Sequence, residues 1–190
     1  MYQSILDPYC YPGTTVLKNT AGHIDQADLD DFELSLTTQR FNEALPTGRF
    51  TVRHYCSIHH HIFQDIYVWA GKFRAVRISK GGNMFCFPEN IVNQLKLVFD
   101  KLRAKNFLNE TTETEFSLYA ADFLADLNAI HAFRDGNGRA QLAVLNLIAR
   151  RAGHRSTLAN IDSDKFLSGM IMSFHGDNRV LAAEIYKILI

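Results

Sequence analysis

A chain of 190 residues with 47% hydrophobic and 21% charged side chains has the balance of an ordinary water-soluble globule, and one domain spanning 1–190 is expected. Twenty basic and twenty acidic side chains cancel to a formal net charge of zero, so no global field draws the chain to nucleic acid or to an anionic membrane. Three cysteines, Cys10, Cys56 and Cys86, stand at unrelated spacings and make neither a disulfide framework nor a zinc site. With no secretory signal and no bilayer-length apolar run, a cytoplasmic location is expected.

Met1 to Thr20, with Pro8, Pro12 and Gly13, reads as a loop-like arm draped over the core. The first helix is predicted from Asp25 to Leu45, where Leu29, Phe32, Leu36, Phe41 and Leu45 form an apolar stripe and Pro46 and Gly48 end it. A second helix is predicted from Val52 to Trp69, with Tyr55, Ile58, Ile62, Phe63 and Ile66 near one side. It carries His59, His60 and His61, which invite a metal reading. Consecutive helical residues point about 100° apart, so three in a row do not chelate one ion from a single helix. In Val76 to Phe87, Val76 and Ile78 alternate with Arg77 and Ser79 before the turn residues KGGN, which is a hairpin pattern.

Pro88 starts a helix to Lys105, with Ile91, Leu95, Val98, Phe99 and Leu102 on its apolar face. The helix from Glu115 to Ile130 is the most hydrophobic and suits the centre of a bundle. After the stretch His131 to Arg139, apolar residues at Leu142, Leu145, Ile148, Ala149 and Ala152 define another helix. Gly153 and His154 close it, and helices over 162–174 and 178–190 complete an all-α bundle with one small hairpin.

His131 to Arg139, HAFRDGNGR, is strung between two core helices and concentrates the chemistry. The second helix is predicted to start within Asn137–Arg139, and its first N–H groups then lack intrahelical partners. Gly136 and Gly138 let that backbone approach a ligand closely, and the helix dipole favours an anion there. Arg139 adds a fork that fits phosphate oxygens, and Asp135 is the right group to hold a Mg²⁺ bridging phosphates. His131 is placed to take a proton from an attacking hydroxyl, and Phe133 pins the loop to the core. Taken alone, DGNG is also a common turn.

The run resembles the active-site signature of the Fic family, HxFx[D/E]GNGRxxR, matching at every specified position except the last. The resemblance implies a Fic-type helical bundle that transfers AMP from ATP to a Ser, Thr or Tyr hydroxyl of a target protein. It assigns His131 as base, Asp135 as Mg²⁺ ligand, Asn137 and Arg139 as phosphate contacts, and Gly136 and Gly138 to the anion hole. The hairpin then corresponds to a flap, with Ile78, Ser79, Lys80, Gly81 and Gly82 docking the target segment by backbone pairing. Asp7 to Asn19, DPYCYPGTTVLKN, resembles the opening of stand-alone Fic proteins paired with a small antitoxin, so an antitoxin partner is expected as well.

Two departures stand out. Ala132 replaces a frequent proline, and Leu142 stands where the signature ends in a second arginine, associated in the family with the terminal phosphate and with the glutamate of an inhibitory helix. Weaker ATP binding, a different nucleotide donor, or compensation by Arg150 all stay open, as does a nucleotide-binding regulatory module with blunted turnover. The related Doc kinases carry lysine at the position of Gly138, so glycine favours nucleotidyl transfer. The string SFHGDN, Ser173 to Asn178, is a poor match to the family's self-inhibitory motif.

Overall fold

A computed structural model describes residues 7–189. Among them are seven α-helices: α1 (Gln26–Phe41), α2 (Val52–Phe63), α3 (Ile91–Ala104), α4 (Glu113–Ile130), α5 (Asn137–Arg151), α6 (Ser163–Ser173) and α7 (Arg179–Ile188). The strands β1 (Ser79–Lys80) and β2 (Asn83–Met84) pair antiparallel, Ser79 opposite Met84 and Lys80 opposite Asn83. The described residues are thus all-α with a single small hairpin, as the periodicity predicts.

α4 occupies the centre and packs against α3, α5, α6 and α7. A capping box starts it: the Thr112 hydroxyl accepts from Glu115 N–H while the Glu115 carboxylate accepts from Thr112 N–H. Phe116, Ala120, Leu124 and Leu127, spaced by three and four residues, are all buried along it. α2 lies against α1, α3 and α5, so the two segments flanking the glycine-rich loop and the helix before the hairpin share one core.

The boundaries differ where tertiary contacts intervene. α1 stops at Phe41 rather than Leu45, because Asn42 N–H turns back to both Thr38 and Gln39 carbonyls, and the residue before Pro46 is barred from helical geometry anyway. α2 stops at Phe63 rather than Trp69. Ile66, Tyr67, Trp69 and Ala70 are buried as expected, but in a series of turns that ends at Gly71 (φ +76°), where a Cβ would meet the Cys56 carbonyl at 2.9 Å. An apolar run thus passes for helix although its backbone turns. The hairpin ladder is two residues per strand, shorter than the predicted Val76–Phe87. Its loop residues Gly81 (φ +57°) and Gly82 (φ +82°) both take the left-handed conformation that a tight two-residue hairpin turn demands. On α5 the buried face runs through Ala140, Gln141, Val144, Leu145 and Ile148, so Leu142, predicted for the core stripe, is only partly buried.

Of the N-terminal arm, residues 1–6 lie outside the described residues. From Asp7 onward the chain folds back on itself, with Tyr11 N–H donating to Val16 O at 3.0 Å and Lys18 N–H to Tyr9 O at 2.8 Å, and it buries Cys10, Val16 and Leu17. No helix among the described residues is long and apolar enough to cross a membrane.

Candidate active site

The site is built where α4 ends and α5 begins. His131 caps α4 in the left-handed conformation (φ 47°, ψ 63°), a placement that usually calls for glycine and costs about 1 kcal/mol or more in a residue with a side chain. The next loop is closed by Asn137, whose side chain donates to Phe133 O and accepts from Phe133 N–H, both at 2.9 Å. Asn137 is buried, so its amide holds the loop and only its backbone N–H is left for a ligand. α5 opens at Gly136 (φ +76°) without a side-chain cap, and its first N–H groups face outward with no helical acceptor. At Gly138 a Cβ would find nothing within 4 Å, so open space lies directly over this end of the helix.

His131 stacks on Phe85, ring centroids 3.9 Å apart and planes at 19°. Its Nδ1 is buried beside the Asn128 backbone without a well-formed hydrogen bond, which leaves Nε2 as the ring nitrogen open to the pocket. Burial holds the imidazole pKa down to about 4; Arg74 and Lys80 lower it further, while the Asn128 backbone and the Asp135 carboxylate oppose. The ring is therefore neutral near pH 7 and able to accept a proton.

Four groups hold this arrangement: Arg74, His59, Asp7 and Glu33. Arg74 is almost fully buried, and its guanidinium donates to the carbonyls of His131 (2.7 Å), Ile130 (3.2 Å), Val76 (2.7 Å) and Cys86. One side chain thus satisfies the end of α4 and both legs of the hairpin, and it supports the strained backbone of His131. His59, from the histidine triplet, accepts from Gly71 N–H through Nδ1 and donates through Nε2 to Asp135 O, both at 2.9 Å. It lies between the rings of Phe133 and Phe63, and burial lowers its pKa to about 4. His60 and His61 face the carbonyls of Ala70 and Arg40, and no metal-binding cluster of side chains occurs among the described residues. Asp7 of the arm pairs with Arg134 at 2.8 Å and fixes the loop from outside.

The fourth group is Glu33 on α1. It forms an ion pair with Arg139 and accepts a hydrogen bond from Tyr67 O–H, while the Arg139 guanidinium lies 4.6 Å over the Phe63 ring. Arg139 therefore brings a carboxylate with it, and part of its fork is engaged. Nothing local flagged Glu33, a lone charge in an unremarkable context.

His131, Asp135, Gly136, Asn137, Gly138 and Arg139 line one pocket of about 520 Å³, the size of a small-molecule site. Lys80 and Gly81 of the hairpin border it, whereas Ile78, Ser79 and Gly82 do not. Its far wall is apolar, made by Ile161, Phe166, Met170 and Phe174 of α6 and its flanks, with Leu142 beside them. The cations on its lining are Lys80 and Arg139. Arg150 lies about 20 Å along α5 from Asn137 and borders a different cavity with Asn146 and His154, so it does not stand in for the missing arginine. Asp135 is exposed at the rim; one carboxylate beside an open phosphate cradle suits Mg²⁺, which is commonly held by one or two carboxylates together with substrate phosphates.

Residues 49–149 match the Fic/DOC family. The chain is 45% identical over 189 residues to the Probable protein adenylyltransferase y4lH of Sinorhizobium fredii, covering 99% of this chain and 98% of that protein. It is 29% identical to the Probable protein adenylyltransferase Fic of Salmonella typhimurium, over 96% of this chain and 92% of the relative. The crystal structure of the BepC protein of Bartonella tribocorum with bound AMPPNP superposes with a TM-score of 0.87 at 25% identity, covering 96% of both chains. A left-handed histidine, a glycine-opened helix and a hairpin meet at one pocket in this chain, and the chain belongs to the Fic/DOC family.

Proposed function

We propose that this protein is a nucleotidyltransferase that moves AMP from ATP onto a Ser, Thr or Tyr hydroxyl of a target protein. The observation that carries the reading is the shared pocket: a neutral imidazole on one side and the uncapped N-terminus of α5 on the other. The relatives named as protein adenylyltransferases, one of them alike over nearly its full length, support the reaction class.

The hydroxyl oxygen forms a bond to the α-phosphorus while its proton passes to His131 Nε2. The bond from that phosphorus to the bridging oxygen of the β-phosphate breaks, and pyrophosphate leaves. The α5 N–H groups and the free part of the Arg139 fork stabilise the charge, so catalysis is mostly positioning and preorganised electrostatics. Asp135 would hold a Mg²⁺, which neutralises phosphate charge when bound. The target segment pairs along the exposed Ser79–Met84 hairpin, which presents its hydroxyl to His131. Likeness of Asp7–Asn19 to antitoxin-paired relatives supports a toxin role with a small helical partner, in a cytoplasmic setting.

The test is transfer of label from ATP marked on the α-phosphate to proteins of a cell lysate. His131→Ala is expected to cut transfer by roughly a hundredfold or more while leaving nucleotide affinity within about threefold. Transfer that survives this change removes His131 from the mechanism. Leu142 favours a second reading, a weakened enzyme or nucleotide-binding module. A large gain in transfer on Leu142→Arg would support it, and no gain would reject it.

A further inference from the structure

Gln141 is 1% exposed, yet neither its Nε2 nor its Oε1 has a hydrogen-bond partner. Buried amides are normally satisfied, because water's hydrogen bonds are lost on burial and nothing replaces them. This one sits among Ala140, Val144 and Leu145 on the buried face of α5, where a leucine would pack without that cost. It also lines the pocket that holds His131 and Gly138. Both amide atoms are sealed from the pocket in this conformation, so the unmade hydrogen bonds point to a ligand that completes them once the side chain turns to another rotamer.

Position along α5 narrows the ligand's identity. The phosphate cradle is the first turn of the helix, and Gln141 lies about 6 Å further along its axis, where the pocket lining changes from glycines and charges to Leu142, Phe166 and Met170. A ligand whose phosphates rest on the first turn reaches Gln141 with its nucleoside. An amide offers one donor and one acceptor side by side. Adenine answers with an N6 amino donor beside the N7 acceptor, whereas guanine placed with its corresponding edge toward the amide presents two acceptors, O6 and N7, and leaves the amide oxygen unpaired unless the base turns its N1–H/O6 edge inward.

We propose that Gln141 is the specificity residue that selects an adenine base in the nucleotide donor, a role that rests on the nucleotide-donor reading above. The apolar wall accepts any flat base; the buried amide distinguishes which edge it carries. Asn128, another buried amide on the lining, already donates to Met170 O at 3.0 Å, whereas Gln141 makes no hydrogen bond.

The experiment measures binding of the Mg²⁺ complexes of ATP and GTP to the wild-type chain and to Gln141→Met, which keeps length and flexibility but makes no such hydrogen bonds. Wild type is expected to prefer ATP by roughly tenfold to a hundredfold. In Gln141→Met the preference should collapse to within about threefold through loss of ATP affinity, with GTP little changed. The ligand-free variant should melt about 2–4 °C higher, since an unpaired buried amide is removed. A variant that keeps the wild-type preference overturns the assignment while leaving the donor reading intact. Equal weakening of both nucleotides also overturns it, because that marks a merely structural side chain. A wild-type chain that binds neither nucleotide overturns the donor reading and this inference together.

Discussion

A methyl group added at Gly136 would sit 2.3 Å from the Phe63 ring, on a backbone at φ +76° that disfavours any side chain. The same group at Gly138 meets no protein atom within 4 Å and no backbone penalty. Two glycines separated by a single residue therefore answer to different demands: Gly136 lets the loop close against α2, and Gly138 keeps the approach to α5 open. Gly136→Ala is expected to destabilise the fold by about 3 kcal/mol or more, read as a shift in the urea midpoint. Gly138→Ala should leave the ligand-free melting temperature within about 2 °C and weaken ATP binding by roughly tenfold or more, measured by calorimetry. Equal effects of the two changes would contradict this division. Asn137 belongs with Gly136 in this respect, since its amide is committed to Phe133 on both sides.

Among elements, the base of the hairpin and the end of α4 behave as one body because Arg74 bonds to both. Cys86 N–H also donates to Ala129 O at 3.1 Å, and Arg77 lies 4.1 Å over the Phe87 ring, so the base of the hairpin is anchored. Its tip, Ser79 to Gly82, is exposed and held only by a two-residue ladder, which is marginal alone. Backbone amides at the tip are expected to exchange hydrogen far faster than Phe85 and Cys86 at the base. Uniform protection across the hairpin would argue against an independently moving tip. Arg74→Lys loses the planar fork but keeps the charge, leaving some of four carbonyls unpaired. It should lower the rate of transfer by about tenfold or more, with ATP affinity within about threefold, since the phosphate cradle on α5 is untouched. A matched loss of nucleotide affinity would mean that Arg74 supports the pocket generally instead of positioning His131.

For the molecule as a whole, a buried and a half-buried imidazole tie stability to pH. His59 and His131 are each held near pKa 4 by burial, below the value of about 6.5 for a free histidine. Between those values the unfolded chain binds protons that the folded chain refuses. Their contribution is therefore complete above pH 6.5, and stability falls as pH drops from 6.5 toward 4, by up to about 2 kcal/mol per histidine at pH 5. Denaturant unfolding at pH 7.5 and pH 5 checks this. His59→Gln should be less stable at pH 7.5 yet lose less between the two values, because one of the two titrations is gone. A wild-type curve that is flat over this range would contradict the neutral state of both rings.

What the sequence determined by itself is what neighbouring residues encode. Helical spacing marked every core helix, the glycine pair in KGGN marked the hairpin turn, and HAFRDGNGR marked where α4 hands over to α5, because periodicity, turn chemistry and capping act over a few residues. It misplaced the end of α2, since burial is equally compatible with helix and with turns when both hide the same apolar side chains. Only the tertiary structure decided how the loop is held and what the pocket lacks. Arg74 reaches His131 across 57 residues, His59 reaches Asp135 across 76 and Glu33 reaches Arg139 across 106. Gln141 likewise became visible as an unpaired amide only when its surroundings were known. Such contacts depend on which helices pack together, and no local pattern carries that information.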